Sequence, residues 1–333
     1  MTARRRCLQI LAATALLPTL VLLPALALLP TPARAAWPDK PLRIVVPYAA
    51  GGFTDILSRL LATRLGERLG QPVVVENKPG AATRLGADAV AKSPPDGHTL
   101  LMATTSTLST NPLMFRKMPF KTTDFVPVAL AGLTPFVLVA HPSVPGQDAA
   151  ALVAHARANP GKLNLAMLGV GSSTHLVDEL FRTAAGVDIP DVPYKGSGPA
   201  NVDLLAGHVQ LTFDAVATAI PRVRSGKLKG LGITSDARSP LLPDVPTFKE
   251  SGLPQVVAYS WYGLMAPAGT PPAVVEQINR AVNEILRTPE IQTQLDANGA
   301  SAPKLTAAQF GELIDEHTRL WARIVKPLNL QLD

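Results

Sequence analysis

The glycine pair, threonine and aspartate in the order Gly51-Gly52-x-Thr54-Asp55 are residue types suited to holding an anion rather than to breaking a bond. Glycine lets backbone approach a ligand closely. The first N–H groups of a helix have no partner within it and carry the positive end of its dipole, so a carboxylate can be held there without a lysine or arginine. The same residues also suit a plain tight turn in which Thr54 or Asp55 caps the helix. A second run, from Gly169 to Ser173 with Thr174 and His175 after it, repeats the logic of glycine and hydroxyl residues ahead of a helical pattern. Ser172, Ser173 and Thr174 suit either capping or donation of hydroxyls to a ligand. His175 suits lining a cleft or packing in a first helical turn. Asp214 is a lone carboxylate at the end of a strand pattern, where crevices form in open α/β sheets, and it suits accepting from a ligand, orienting donors or capping. Lys195 either adds positive charge near an anion or stands in solvent on its turn.

Signatures of bond-breaking chemistry are missing. The sequence contains no His-Glu-x-x-His, phosphate-loop, dinucleotide-loop or nucleophile-elbow pattern. Its six histidines, His98, His141, His155, His175, His208 and His317, show no metal-ligand spacing. No catalytic residue, cofactor or metal is therefore expected. Trp37, Trp261 and Trp321 read as packing residues, since aromatic residues make up only 5% of the chain.

Alternating strand and helix patterns must position the two glycine runs. The apolar, β-branched run at 42–46 reads as a strand, and Ile56, Leu57, Leu60, Leu61, Leu65 and Leu69 recur at helical spacing after it. Strands are expected over 73–76, 99–103, 163–168, 209–213, 228–234 and 260–266, with apolar runs at 127–131 and 136–140. Helices are expected over 85–91, 149–158, 174–185, 199–206, from Pro272 to about 286, and from 306 to 325, with a helical turn near 218–225. Residues 104–110 read as a polar loop. This alternation predicts parallel sheets flanked by helices, an α/β fold of two lobes, with one large domain as the alternative. Two short crossings, near 138–141 and 259–261, would permit a hinge.

The first 36 residues are set apart from this pattern. Arg4, Arg5 and Arg6 precede an apolar run over 8–29 that Pro18 and Pro24 interrupt, and Ala33-Arg34-Ala35 offers a small-x-small cleavage site. These features predict an export signal cleaved near Ala35-Ala36 and a periplasmic mature protein; a membrane anchor is the rival reading. Arg4-Arg5-x-Cys7-Leu8-Gln9 loosely resembles a twin-arginine signal. The chain has 31 basic and 25 acidic residues, and four of the arginines lie in this leader, which leaves 27 against 25 and a balance of +2. The balance gives no case for nucleic-acid or anionic-membrane binding. Cys7, the single cysteine, also lies in the leader, so the mature chain has no disulfide, thiol nucleophile or cysteine metal site.

An ordered series of motifs resembles the extracytoplasmic solute-binding proteins of tripartite tricarboxylate transporters, the Bug receptors. The series runs from Trp37-Pro38-x-Lys40-Pro41-Leu42 through Pro47-Tyr48 and Gly51-Gly52-x-Thr54-Asp55 to Glu76-Asn77-Lys78-Pro79-Gly80-Ala81 and Pro94-Pro95-Asp96-Gly97-His98-Thr99-Leu100. It continues through Tyr194-Lys195-Gly196, Leu242-Pro243-Asp244-Val245-Pro246-Thr247 and Ala266-Pro267-Ala268-Gly269-Thr270-Pro271. The resemblance implies a type II periplasmic-binding fold, two α/β lobes joined by two crossings and closing on a small organic mono- or dicarboxylate. It divides the chain into lobe 1 at 37–138 plus 262–333 and lobe 2 at 139–261. Carried over residue by residue, it implies ligand contacts from Tyr48, Gly51, Gly52, Thr54, Asp55, Thr104 and Ser106 in the first lobe, and from Gly171, Ser172, Ser173, His175 and Asp214 in the second. It also implies a monomer that delivers its solute to membrane permease subunits. A sensory protein reporting the same ligands to a signalling receptor is the alternative, and a serine hydrolase using Ser172 or Ser173 with His175 a third. One departure stands out: where the family usually reads Pro-Gly-Ala-Gly-Gly, this chain has Pro79-Gly80-Ala81-Ala82-Thr83 followed by Arg84.

Overall fold

The computed structural model describes residues 37–333 except 170–171, 195–196, 329–330 and 333. The expected export signal at 1–36, Gly171 and Lys195 lie outside the described residues. Among the described residues no helix is long and apolar enough to cross a membrane.

Strand β1 (Leu42–Val46) lies between β2 (Val73–Asn77) and β3 (Thr99–Thr104), parallel to both. Neighbours on both edges and helices over its faces explain its nearly unbroken apolar run. Helix α1 (Phe53–Leu69) connects β1 to β2 and stops at Gly70, whose φ of 70° is the left-handed conformation that closes helices. Helix α2 (Arg84–Ala91) connects β2 to β3. Strand β9 (Tyr259–Pro267) runs antiparallel to β3, and β4 (Phe125–Ala140) runs antiparallel to β9.

Strand β4 belongs to both halves of the molecule. From Phe125 to Pro135 it pairs with β9; from Phe136 to Ala140 it pairs instead with β7 (Leu211–Ala215) and β8 (Lys229–Ile233). Strands β5 (Leu165–Met167) and β6 (Asp191–Pro193) continue outward from β7. The ladder therefore reads β2-β1-β3-β9-β4-β7-β5-β6, with β8 also on β4. The two runs expected at 127–131 and 136–140 are thus one strand. Irregularities between Pro127 and Ala129 and between Leu130 and Gly132 bend it, and Pro135 stands where it changes neighbours, a place where a missing N–H is tolerated.

In the second half, alternate β4 side chains serve opposite faces, as the pleat requires. Leu138 and Ala140 join α4 (Ala149–Ala158) and α5 (Ser173–Ala185), whereas Val137 and Val139 join α6 (Ser197–Ala206) and α7 (Val216–Arg224). Helices α8 (Pro272–Ile285) and α9 (Pro289–Ala297) follow β9. The sequence reading did not anticipate α9, although Pro289 and Glu290 are helix-start residues. The last helix, α10 (Ala307–Leu328), is shared between the halves. Its Phe310 meets Trp261 edge-on at 5.5 Å in one core, and Trp321 and Val325 lie in the other core with Leu138, Phe181 and Phe213.

Residues expected as a polar loop after β3 are helical instead. Ser106–Thr110 makes a π-helical turn that runs into α3 (Asn111–Met114), and Thr107, Leu108, Ser109 and Thr110 are buried. Tertiary burial here outweighs the weak helix preference of serine and threonine.

The departure at 81–83 has a visible cost. Ala81, Ala82 and Thr83 have φ of 46°, 51° and 75°, a conformation disfavoured by about 1–2 kcal/mol per residue with a Cβ. Asn111 Nδ2 holds the turn through Ala82 O at 2.5 Å and Thr83 Oγ1 at 3.2 Å. Arg84 stacks 3.7 Å over Phe115 and donates to the Ala81 and Lys117 carbonyls, so its charge is spent within lobe 1. Ala82→Gly is expected to raise stability by roughly 0.5 kcal/mol, relief of strain less the added freedom of the unfolded chain. A calorimetric melting temperature about 1–2 °C higher would register it.

Candidate functional site

The loop between β1 and α1 is shaped by one carboxylate. Asp55 is buried, and its oxygens accept from Gly51 N–H at 2.9 Å, Asn77 Nδ2 at 2.9 Å and Arg59 Nε at 3.1 Å. The Arg59 bonds above all, helped by Gly51 N–H and Asn77, hold its pKa down to about 2. Gly51 takes φ +91°, which its lack of a Cβ permits. Gly52 is the N-cap with no side-chain cap, and its carbonyl accepts from Asp55 and Ile56. Among the described residues the N–H groups of Gly52, Phe53 and Thr54 have no acceptor. Three donors therefore point out of the helix start, and a Cβ at Gly52 would meet nothing within 4 Å.

Beside this loop stands a knot of hydroxyls. Tyr48 Oη lies 2.7 Å from Thr104 Oγ1, which lies 3.2 Å from Thr107 Oγ1, and the Ser106 hydroxyl is close enough to the phenol to act on its pKa. Burial pushes the Tyr48 phenol above its usual range, with these hydroxyls opposing the shift. Asn77 Nδ2 also donates to Tyr48 O at 3.1 Å. Tyr262, opposite Thr104 on β9, meets Phe53 edge-on at 5.0 Å. Tyr48, Thr104 and Ser106 thus come together, next to the Gly51–Asp55 loop.

In the second half, Ser172 is the N-cap of α5: its Oγ accepts from His175 N–H at 3.2 Å and lies 2.8 Å from Thr174 Oγ1. Ser173 occupies the first helical position, half-buried. The His175 ring is buried, with Nε2 3.8 Å from Glu179, and burial lowers its pKa. Asp214, buried at the end of β7, accepts from Ala215 N–H at 2.9 Å, from Asn201 Nδ2 at 3.3 Å and from Ser197 Oγ at 3.4 Å.

His175, Glu179 and Asp191 offer ligand atoms within 4.8 Å of one another. Arg182 already supplies the positive charge there, donating to Asp191 at 2.7 and 2.8 Å and to Glu179. The adjacent Asp178 is 1% exposed, and neither of its oxygens has a partner among the described residues. Burial raises its pKa well above the carboxylate range. For an acid raised on folding, the stabilising contribution is complete below the unfolded value near 3.8 and is lost as pH rises through the folded value. Asp178→Asn is therefore expected to be more stable than the parent at pH 7, by roughly 1–3 kcal/mol, with the gap narrowing toward pH 4. Urea titrations at the two pH values measure it.

Several residues in this architecture were not singled out from sequence. Asn77 and Arg59 carry the first loop; Arg59 is four residues from Asp55, a spacing at which helical side chains meet, and Asn77 ends a strand inside a recognised motif. Thr107, Tyr262, Ser197 and Asn201 had no such signal.

Two α/β halves that share β4 and α10, with helix starts and hydroxyls on the loops at their strand ends, are an arrangement able to hold a small solute. The family model described as "Tripartite tricarboxylate transporter family receptor" matches residues 57–330. Protein BugT of Bordetella pertussis is 39% identical over 298 residues, spanning 89% of this chain and 91% of that protein. The structure of Rpa4515 of R. palustris with adipate superposes with a TM-score of 0.76 at 35% identity, covering 87% of this chain and 97% of that one. MatC (Rpa3494) from Rhodopseudomonas palustris with bound malate gives 0.73 at 34% identity, covering 86% and 99%. The chain belongs to the tripartite tricarboxylate transporter receptor family, a family of solute-binding receptors and not of enzymes.

Proposed function

We propose that this protein captures a small organic mono- or dicarboxylate in the periplasm and delivers it to the permease subunits of a tripartite tricarboxylate-type transporter. The observation that carries the reading is the set of Gly52, Phe53 and Thr54 N–H groups at the start of α1 that have no acceptor among the described residues. A carboxylate oxygen is their natural acceptor, since hydrogen bonds to ionised groups are about twice as strong as neutral ones. On this reading Tyr48, Thr104 and Ser106 extend this surface, and Ser172, Ser173, His175 and Asp214 supply the contacts of the other lobe. Gly51 and Asp55 act by shaping the first loop, because Gly51 N–H and the Asp55 oxygens are already engaged. The division into lobe 1 at 37–138 plus 262–333 and lobe 2 at 139–261 belongs to this reading, and the change of β4 neighbours at Pro135 and Phe136 and the start of β9 at Tyr259 support it. The relatives holding adipate and malate support a carboxylate as the solute. Ligand stabilises the closed arrangement only by its differential affinity for it.

Isothermal titration of the purified protein with a panel of mono- and dicarboxylates tests this reading. At least one is expected to bind and raise the melting temperature; failure of all would overturn it. Pull-down from membranes with loaded protein tests delivery, and recovery of a signalling receptor instead of permease subunits would reassign the partner.

A further inference from the structure

We infer that the second lobe selects solutes carrying a hydrogen-bond donor, a hydroxyl or an ammonium group, in addition to the carboxylate, and that Asp214 and Asn201 are the residues that take it. This rests on the carboxylate reading of the same site. The position follows from strand register. Leu165 of β5 is level with Leu211 of β7 and Thr212 Oγ1 donates to Ala166 O at 2.8 Å, so β5 ends at Met167 one residue short of the level of Asp214. Gly169, whose carbonyl accepts from Ser172 N–H at 3.1 Å, therefore follows the sheet end at which Asp214 stands.

The chemistry there is one of acceptors. Asp214 is 3% exposed, and its contacts from Ser197 Oγ at 3.4 Å and Asn201 Nδ2 at 3.3 Å are long beside the 2.9 Å bond from Ala215 N–H. A carboxylate has about four lone-pair positions, so these three donors leave capacity over. Asn201 is 5% exposed, and its Oδ1 has no donor among the described residues. Turning the amide over does not remove the orphan, because it would put Oδ1 against a carboxylate that can only accept. Buried acceptors are satisfied in folded proteins, so a donor from outside the chain belongs at this point. An unsubstituted carboxylate chain brings none, and a second ionised carboxylate beside Asp214 would be repelled. A hydroxy acid or amino acid meets the first helix start with its carboxylate and this corner with its donor.

Titration of matched solutes on the intact protein tests the inference: malate and aspartate against succinate, and lactate and alanine against propionate. In at least one set a donor-bearing acid is expected to bind tenfold or more tighter than its unsubstituted partner, the scale on which a site with buried polar groups rejects an analogue that leaves them unpaired. Asp214→Asn and Asn201→Leu, checked for folding by their melting curves, are expected to shrink that ratio to within about threefold. Equal affinities across every set in the unaltered protein would overturn the inference and leave the carboxylate reading intact, whereas binding of none of these or other carboxylates would remove both. A structure of the complex with only an ordered water on Asn201 Oδ1 would also overturn it.

Discussion

Gly52→Val is expected to weaken carboxylate binding at least a hundredfold while leaving the melting temperature nearly unchanged. The backbone at Gly52 has φ −81° and ψ 168°, which valine adopts without strain. A Cβ there meets no atom within 4 Å, so the substitution opens no clash inside the protein. The added branches instead occupy the space in front of the Gly52, Phe53 and Thr54 N–H groups, where a carboxylate oxygen has to come within hydrogen-bond distance. Loss of two charge-assisted bonds at about 1.5 kcal/mol or more each corresponds to a factor of a hundred or greater. Calorimetric titration of parent and variant with the same acid measures it. Retained affinity would remove this helix start from the site.

The strand, glycine turn and helix that build this feature were legible in sequence because each depends on local order alone. The period changes from two to about three and a half between Val46 and Ile56, with the glycine pair between, and the N–H groups at a helix start lack a partner within the helix whatever surrounds them. What the loop is fastened by was less legible. Asn77 reaches Asp55 and Tyr48 only because β2 lies alongside β1, a pairing that no local pattern states. The same holds for Ser197 and Asn201, which meet Asp214 only once α6 has docked on β7. Strand β4 was read as two pieces because Gly132 and Pro135 interrupt its pattern, and those two residues are where the strand bends and changes partners. The helical turn at 106–110 was hidden for the opposite reason: serines and threonines look like loop until burial is known.

That strand carries a consequence for closure. The halves are joined by β4, by β9 and by α10, which places Phe310 in one core and Trp321 in the other. A change of angle between the halves would have to be absorbed at Pro135, near Tyr259 and along α10, the places where the chain passes from one half to the other. A site built from helix starts suits such motion, because each loop keeps its shape while the distance between loops changes.

Whether the first loop does keep its shape depends on Asp55, and Asp55→Ala is expected to cost roughly 2–3 kcal/mol of stability at pH 7 and at least tenfold in affinity. The substitution frees Gly51 N–H, takes one of its two acceptors from Asn77 Nδ2 and leaves Arg59 without its carboxylate partner. Arg59 is half exposed, which places the loss below that of a fully buried pair. The pH dependence has a definite sign. Folding lowers the Asp55 pKa from 3.8 to about 2, so its contribution is present above pH 4 and is lost as pH falls toward 2. That shift corresponds to about 2 kcal/mol at neutral pH. The parent should therefore lose its advantage over Asp55→Ala across that acid range, which denaturant titrations at pH 7, 4 and 2.5 measure. A variant that binds as tightly as the parent at pH 7 would show that the N–H groups at the helix start hold their aim without this carboxylate.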